Sequence, residues 1–268
     1  HIVNIKYKTE NLAYVLIPNV NMNDRVIEIF FSTDSITGKL QILLNGESEV
    51  VEKDIEVYNG VIHTINKLLT PSMAQLPDLI MAQSDLQIFG AALKLTGLND
   101  SLLLIEDKTY DATLYSYKDE FNSYTIPAPP TRKFGYTAFV ESDQVLAENG
   151  INSIEDLIAK AEQWYPSGTG VGKDDYTNPE HSLNKYISYH LVDKIINANT
   201  FFFNTSAAKN VEIYEFVETM YKHRIMKLSN KSETRGLIAG TKAFINPNSA
   251  NELFVTDRSK TTVNGVMH

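Results

Sequence analysis

Cysteine is missing altogether from the 268 residues. That one absence removes thiol catalysis, thiolate metal sites and disulfide staples together. It says nothing about compartment, because many exported bacterial domains also lack disulfides. No stretch approaches the roughly 20 consecutive apolar residues that a membrane-spanning helix needs. The first residues show no signal-peptide pattern of a basic start followed by an apolar run. Lys and Arg never cluster, and the formal net charge is −9. Unaided binding to a phosphate backbone is therefore not expected, and nucleic acid is not an expected partner. What remains is ordinary for a folded domain: 43% apolar and 21% charged residues, with length enough for two modest cores.

What is present is a repeat. Asn59-Gly60-Val61-Ile62-His63 recurs as Asn264-Gly265-Val266-Met267-His268, the last five residues. His1-Ile2-Val3 corresponds to His190-Leu191-Val192, and Tyr14 corresponds to Tyr214. Arg25 to Ile29 matches Arg224 to Leu228, and Leu44-Asn45 matches Ile245-Asn246. The offset grows from 189 at His1/His190 through 200 at Tyr14/Tyr214 to 205 at His63/His268. Loop insertions produce such drift in a real repeat. The chain reads as the back half of one domain (residues 1–71) followed by most of a second (72–268). The first copy lacks the helices that precede the Tyr-His step, and the second lacks a closing strand. The native protein is thus expected to extend both ways.

The hydrophobic pattern fills in the elements. Residues 26–31 and 38–46 read as strands, and 47–57 alternates weakly, as an edge strand does. The repeated Asn-Gly feeds a further strand. Apolar spacing turns helical over 76–98, with Gly97 as the stop. Residues 99–131 read as an insertion holding a short hairpin and an extended, Pro-rich exit. A strand is expected over 136–140. Helices are expected over 152–164, capped by Asn152 or Ser153, and over 182–191. Strands follow at 200–203, 211–216, 225–228, 243–245 and 253–255. Helices early and strands late in one unit imply an α+β fold.

Few residues propose chemistry. The Gly-rich loop 166–174 lacks the spacing of a phosphate-binding loop, and a helix precedes it where a strand should. His181 and His190 have no acidic residue at metal-ligand spacing, so no metal site is expected. Asp107 with Asp111, and Asp174 with Asp175, follow no calcium-loop pattern and read as solvated acids. No Gly-x-Ser-x-Gly elbow occurs. His63, His268 and His190, the last flanked by Leu191 and Val192 at a helix-to-strand joint, read as partly buried residues holding backbone groups. The candidate ligand-binding residues are Tyr110, Tyr115, Tyr117, Phe121 and Tyr124 in the insertion, since Tyr offers stacking area with a polar tip. Tyr115 and Tyr117 share one face if residues 113–118 are extended.

Three spaced blocks resemble the fasciclin domain, in the divergent form found in Bacteroidetes surface proteins. Tyr136-Thr137-Ala138-Phe139-Val140-Glu141-Ser142-Asp143 resembles its first block, although Glu141-Ser142 stand where Pro-Thr is usual. Ser188-Tyr189-His190 is similar to its Tyr-His step, and the repeated Asn-Gly-Val-Ile-His to its second block. The resemblance implies a β-wedge with a helical layer, in tandem. It implies structural roles for His1, Asn59, Gly60, His63, Thr137, Asp143, Tyr189, His190, Asn264, Gly265 and His268. It also implies a non-catalytic, cofactor-free adhesion or binding protein at the cell surface, whose partner is a protein or glycan. Such proteins are often lipoproteins, which makes an accessory subunit of an outer-membrane uptake complex the first alternative. A hydrolase acting on surface polymers is the alternative from another class.

Overall fold

The computed structural model describes residues 1–12, 17, 21–22, 27–34, 36–69, 73–118, 125–198, 201, 203–204, 215–232, 241–247, 252–255 and 260–268. It is a mixed α+β structure. Among residues 1–69, β1 (Ile29–Thr33), β2 (Leu40–Leu44), β3 (Ser48–Val57) and β4 (Gly60–Ile65) form an antiparallel meander in that order. β1 and β2 come from apolar and aromatic runs, which suit a half-buried pleated surface. Ile17, Ile27, Ile29 and Ile42 form a small core with Tyr7, Phe31 and Leu44 against it. The expectation of an edge strand over 47–57 is corrected, because β3 lies between β2 and β4. Its weak alternation has a local cause. The pairing slips between Val50 and Glu52 and again before Ile55, with Asp54 at φ 59°, and extra residues break the period of two.

The helical layer follows. In place of one helix over 76–98 there are α1 (Leu76–Ala82), α2 (Gln87–Leu95) and, beyond Gly97 at φ 69°, α3 (Leu98–Ser101). The break has a tertiary cause. The Gln87 and Ile88 amides donate to the Asp143 carboxylate at 2.9 and 3.0 Å, so α2 starts where that distant side chain caps it. The insertion holds the hairpin β5 (Tyr117–Lys118) and β6 (Thr125–Ile126), and β7 (Tyr136–Ala138) follows it. Next come α4 (Asp143–Glu148), α5 (Ile154–Trp164) and α6 (Ser182–Tyr189). The sequence pattern missed α4, although Ser142 accepts from the Val145 amide in the ordinary N-cap manner. Every residue from Ser182 to Ser188 is buried, so α6 is the axis of the main core with Leu76, Phe89, Leu93, Leu157 and Ile187.

Two sheets complete this region. β8 (Leu191–Val192) pairs with β7, and β7 pairs in parallel with β15 (Gly265–Met267), which pairs with β14 (Lys260–Thr261). The other sheet contains β9 (Phe203–Asn204), β10 (Glu215–Glu218), β11 (Ile225–Ser232), β12 (Thr241–Ile245) and β13 (Leu253–Phe254).

The repeated residues occupy repeated hydrogen bonds. Asn45 and Asn246 sit at φ 51° and 49°, a left-handed conformation that Asn tolerates. Each donates its amide to a carbonyl one strand back, Glu28 at 2.9 Å and Lys227 at 2.8 Å. Each returns a side-chain oxygen to the amide of that same residue, at 3.0 and 3.2 Å. His63 Nε2 meets the Tyr7 carbonyl at 2.9 Å, and His268 Nε2 meets the Ile196 carbonyl at 2.8 Å. Met226, Leu228 and Ala243 are buried in a second small core where the first copy has Ile27, Ile29 and Ile42. The aligned residues Tyr14, Arg25, Val26 and Tyr214 lie outside the described residues.

The copies differ in what covers the repeated phrase. β15 lies between β14 and β7, and Met267 is 4% exposed, whereas β4 pairs with β3 alone among the described strands and Ile62 is 50% exposed. A Cβ on Gly265 would meet the Tyr136 carbonyl oxygen at 2.7 Å and Leu76 Cδ2 at 2.9 Å, but on Gly60 it would meet only Val57 Cγ2, at 3.8 Å. A Gly265→Ala substitution is therefore expected to cost about 2–3 kcal/mol, through overpacking. Gly60→Ala should stay within about 0.5 kcal/mol. Amide hydrogen exchange of β15 and β4 in the two variants checks both values, and an equal response would refute the contrast.

Glu28 adds a second expectation. It is buried, its Oε1 has no hydrogen-bond partner, and burial pushes its carboxyl up to about 7 from an ordinary value near 4.5. An acid whose folded value is raised keeps its proton longer when folded, so stability declines as pH climbs from the unfolded value to the folded one. Local stability of β1 and β2 should be level below pH 4.5 and fall by about 3 kcal/mol toward pH 7, at about 1.4 kcal/mol per unit. Hydrogen exchange against pH reads this slope, and Glu28→Leu should abolish it.

Candidate functional site

The family-motif residues act as connectors. Thr137, fully buried on β7, donates its hydroxyl to the Lys194 carbonyl at 2.6 Å and accepts the Ile196 amide at 2.8 Å. It thereby staples β7 to the segment after β8. Asp143 joins α4 to α2 through the cap described above, and its own amide donates to the Asp85 carbonyl at 2.7 Å. Asn264 is buried in the β14–β15 turn. Its Oδ1 accepts the Leu76 amide at 3.0 Å, and its Nδ2 donates to the Leu102 carbonyl at 2.6 Å. Tyr189 accepts a hydrogen bond from Asn246 Nδ2 at 3.2 Å, which ties α6 to the neighbouring sheet. His1 and Asn59 are exposed.

His190 caps α6 and faces two acceptors. Nδ1 meets the Tyr186 carbonyl at 2.8 Å, and Nε2 lies 3.5 Å from Glu141 Oε2. The same Oε2 accepts the Tyr186 hydroxyl. Burial alone would lower the histidine's pKa, but the Glu141 charge outweighs it and the net direction is upward. Burial would raise the Glu141 pKa, but the imidazolium and its hydrogen bond reverse this, and the net direction is downward. Two acceptors around one ring fit the doubly protonated imidazolium, whose nitrogens both donate. The pair sits in an aromatic cluster: Trp164 stacks on Tyr186 at 5.9 Å, and Tyr165 packs within about 6 Å of Tyr186, Tyr189 and Tyr221. Burial pushes the Tyr165 hydroxyl up to about 12. Sequence reading found the histidine and missed its acid. Glu141 is 49 positions away, and its only signal was that it departs from the family's first block.

The Tyr-rich insertion builds a separate face. Tyr110 and Tyr115 stack with ring centroids 5.1 Å apart and planes 20° apart, and the Arg132 guanidinium lies 5.6 Å from the Tyr110 centroid. Together with Tyr117, Ile126, Pro127, Pro129 and Thr131 they line an open concavity of about 400 Å³. Tyr115 is 55% and Tyr117 62% exposed. The expected extended run over 113–118 is corrected. Residues Ala112–Leu114 form a 3-10 turn capped by Asp111, and Tyr115 at φ −110°, ψ −5° folds back over Tyr110. The Asp111 cap overrode the strand propensity that follows it. Asp107 and Asp111 both spend an oxygen closing local turns, on Thr109 and Thr113. Ser116 accepts the Ala128 amide at 3.0 Å and so holds the Pro-rich exit beside the rings. Phe121 and Tyr124 lie outside the described residues.

The buried pair has a pH signature. A raised histidine contributes stability that is complete below its unfolded value, 6.5, and lost as pH rises through its higher folded value. A lowered glutamate contributes stability that is complete above 4.5 and lost as pH falls through its lower folded value. The helical layer should therefore be most stable between about pH 4.5 and 6.5. Glu141→Gln should cost about 3 kcal/mol at pH 5.5 by stranding the imidazolium, and less at pH 8, where the ring can discharge. Hydrogen exchange of α6 against pH tests this, and a profile unchanged by Glu141→Gln would refute the pairing.

No helix among the described residues is long and apolar enough to cross a membrane. No curated protein matches the chain. A solved structure of a FAS1 domain pair from the insect cell adhesion molecule fasciclin I is similar over 99% of this chain and 74% of its own, at 14% identity and a TM-score of 0.40. The model of the Fasciclin domain matches residues 1–71, the segment that carries the β1–β4 meander and the first copy of the repeated phrase. Through that segment the chain belongs to the fasciclin domain family.

Proposed function

We propose that the chain is a non-catalytic binding protein of the cell surface, built from tandem fasciclin units over residues 1–71 and 72–268. Fasciclin-domain proteins are typically adhesion or binding proteins that work outside the cell or on its surface. The paired hydrogen bonds of Asn45 and Asn246, and of His63 and His268, support reading the second region as another copy of the first. The observation that carries the binding role is the face on which Tyr110, Tyr115 and Tyr117 converge with Arg132. Two exposed rings, braced by a stacked third and a cation, offer rigid amphipathic area at small entropic cost. Such a face suits a sugar ring or an extended peptide. An outer-membrane lipoprotein setting belongs to the same proposal and rests on the family resemblance.

The test is a neutral-oligosaccharide array read with the wild-type chain and with Tyr115→Ala/Tyr117→Ala. Retained glycans should lose at least about tenfold in affinity in the double variant, with its melting curve unchanged. Retention that ignores the substitutions would refute this face. Recovery of a transporter barrel in a pull-down from solubilised outer membrane would support the subunit setting, and recovery of no partner would count against it.

A further inference from the structure

A second cavity lies on the other side of the helical layer, away from the tyrosine face. It encloses about 470 Å³, within the range of roughly 300–1,000 Å³ typical of small-molecule sites. Its floor is apolar and buried: Leu86, Phe139, Met226, Val255 and Met267. The start of α4 forms one wall, with Glu141 inside and Val145 at the mouth, 40% exposed. The cavity thus joins the end of the β7–β15 sheet to the ends of β11, β12 and β13, two sheets of different origin in the repeat.

Its polar chemistry is narrow. Oε2 of Glu141 is used by the Tyr186 hydroxyl and faces His190 Nε2. Oε1 carries neither contact, and it is not among the buried atoms that lack a partner, so it opens to the cavity that Glu141 lines. The positive imidazolium already balances the carboxylate, so the wall asks for no cation. Asn246 is engaged on both sides, with Lys227 and with Tyr189, and Ser142 caps α4. What the interior offers a ligand is apolar area and one charged acceptor.

We infer that this cavity binds a small uncharged molecule with an apolar body and one hydroxyl or N–H group, the body over Phe139 and Met226 and the donor on Glu141 Oε1. Apolar burial supplies most of the affinity, and the charge-assisted hydrogen bond supplies the selection. A neutral apolar molecule without a donor would leave the carboxylate oxygen desolvated and unpaired, so it is rejected.

The probes are 2-naphthol, which carries one donor, and 2-methoxynaphthalene, which has the same rings and none. Both are titrated into the full chain by fluorescence and calorimetry. 2-Naphthol should bind at one site, at least about tenfold more tightly than the ether, as a hydrogen bond to a charged group provides. Val145→Trp, at an exposed helical position, should block the mouth and abolish binding without disturbing the fold. Glu141→Gln, read at pH 8, should narrow the tenfold preference, and the His190 ring signals should shift on binding only in the wild type. If that variant fails to fold, Val145→Trp and the paired probes still decide. Equal affinities for the two probes, binding that survives Val145→Trp, or no saturable binding at millimolar 2-naphthol would each overturn the inference. Loss of 2-naphthol binding in Tyr115→Ala/Tyr117→Ala would place the probe on the other face and overturn it as well.

Discussion

One buried amide side chain holds the second copy together. Asn264 sits in a hairpin turn nearly two hundred residues from the start of α1, yet its oxygen takes the first amide of that helix and its nitrogen takes a carbonyl at the end of α3. Its own carbonyl accepts the Tyr136 amide and so sets the start of the parallel β7–β15 pairing. A buried polar group must be satisfied, and here each bond reaches a different element. Without that turn, the helical layer and the sheet would share apolar contact but no register. Gly265 belongs to the same constraint, because only a residue without a Cβ lets β7 and Leu76 come so close.

Such couplings explain what could be read from residues alone. The repeat was legible because it is local: Asn at a left-handed position and Asn-Gly in a hairpin turn are demands of the backbone, visible in any single copy. The α+β class, α5 with its Ser153 cap and the small hairpin of the insertion were legible for the same reason. The split between α1 and α2 was not, since the cap comes from Asp143, more than fifty residues on. Nor was the place of β3 inside its sheet, because its bulges erased the alternation. The candidate sites divide likewise. The tyrosines announce themselves by composition, but their stacking depends on the Asp111 turn. His190 announces itself by its flanks, but its charge depends on Glu141, across the helix layer.

The two faces differ in kind. The tyrosine concavity is open and carried on an insertion, where contact residues can vary without disturbing a core. The Glu141 cavity is walled by residues that also hold the fold. Its carboxylate orders α6 through Tyr186 and His190 while keeping one oxygen for the interior. A residue serving both purposes makes occupancy and local stability reciprocal: whatever binds the carboxylate also steadies the helix behind it.

The repeated Asn-Gly also sets a clock. A glycine amide can attack the preceding asparagine side chain and convert it to aspartate or isoaspartate, wherever that side chain can turn and water can reach it. Asn59 is exposed, whereas Asn264 is 2% exposed and anchored at both side-chain atoms. One phrase, written twice, should therefore age at two rates. Peptide mapping of stored protein should find isoaspartate accumulating at position 59 while position 264 stays intact, so the extent of change at the first copy records the age of the molecule.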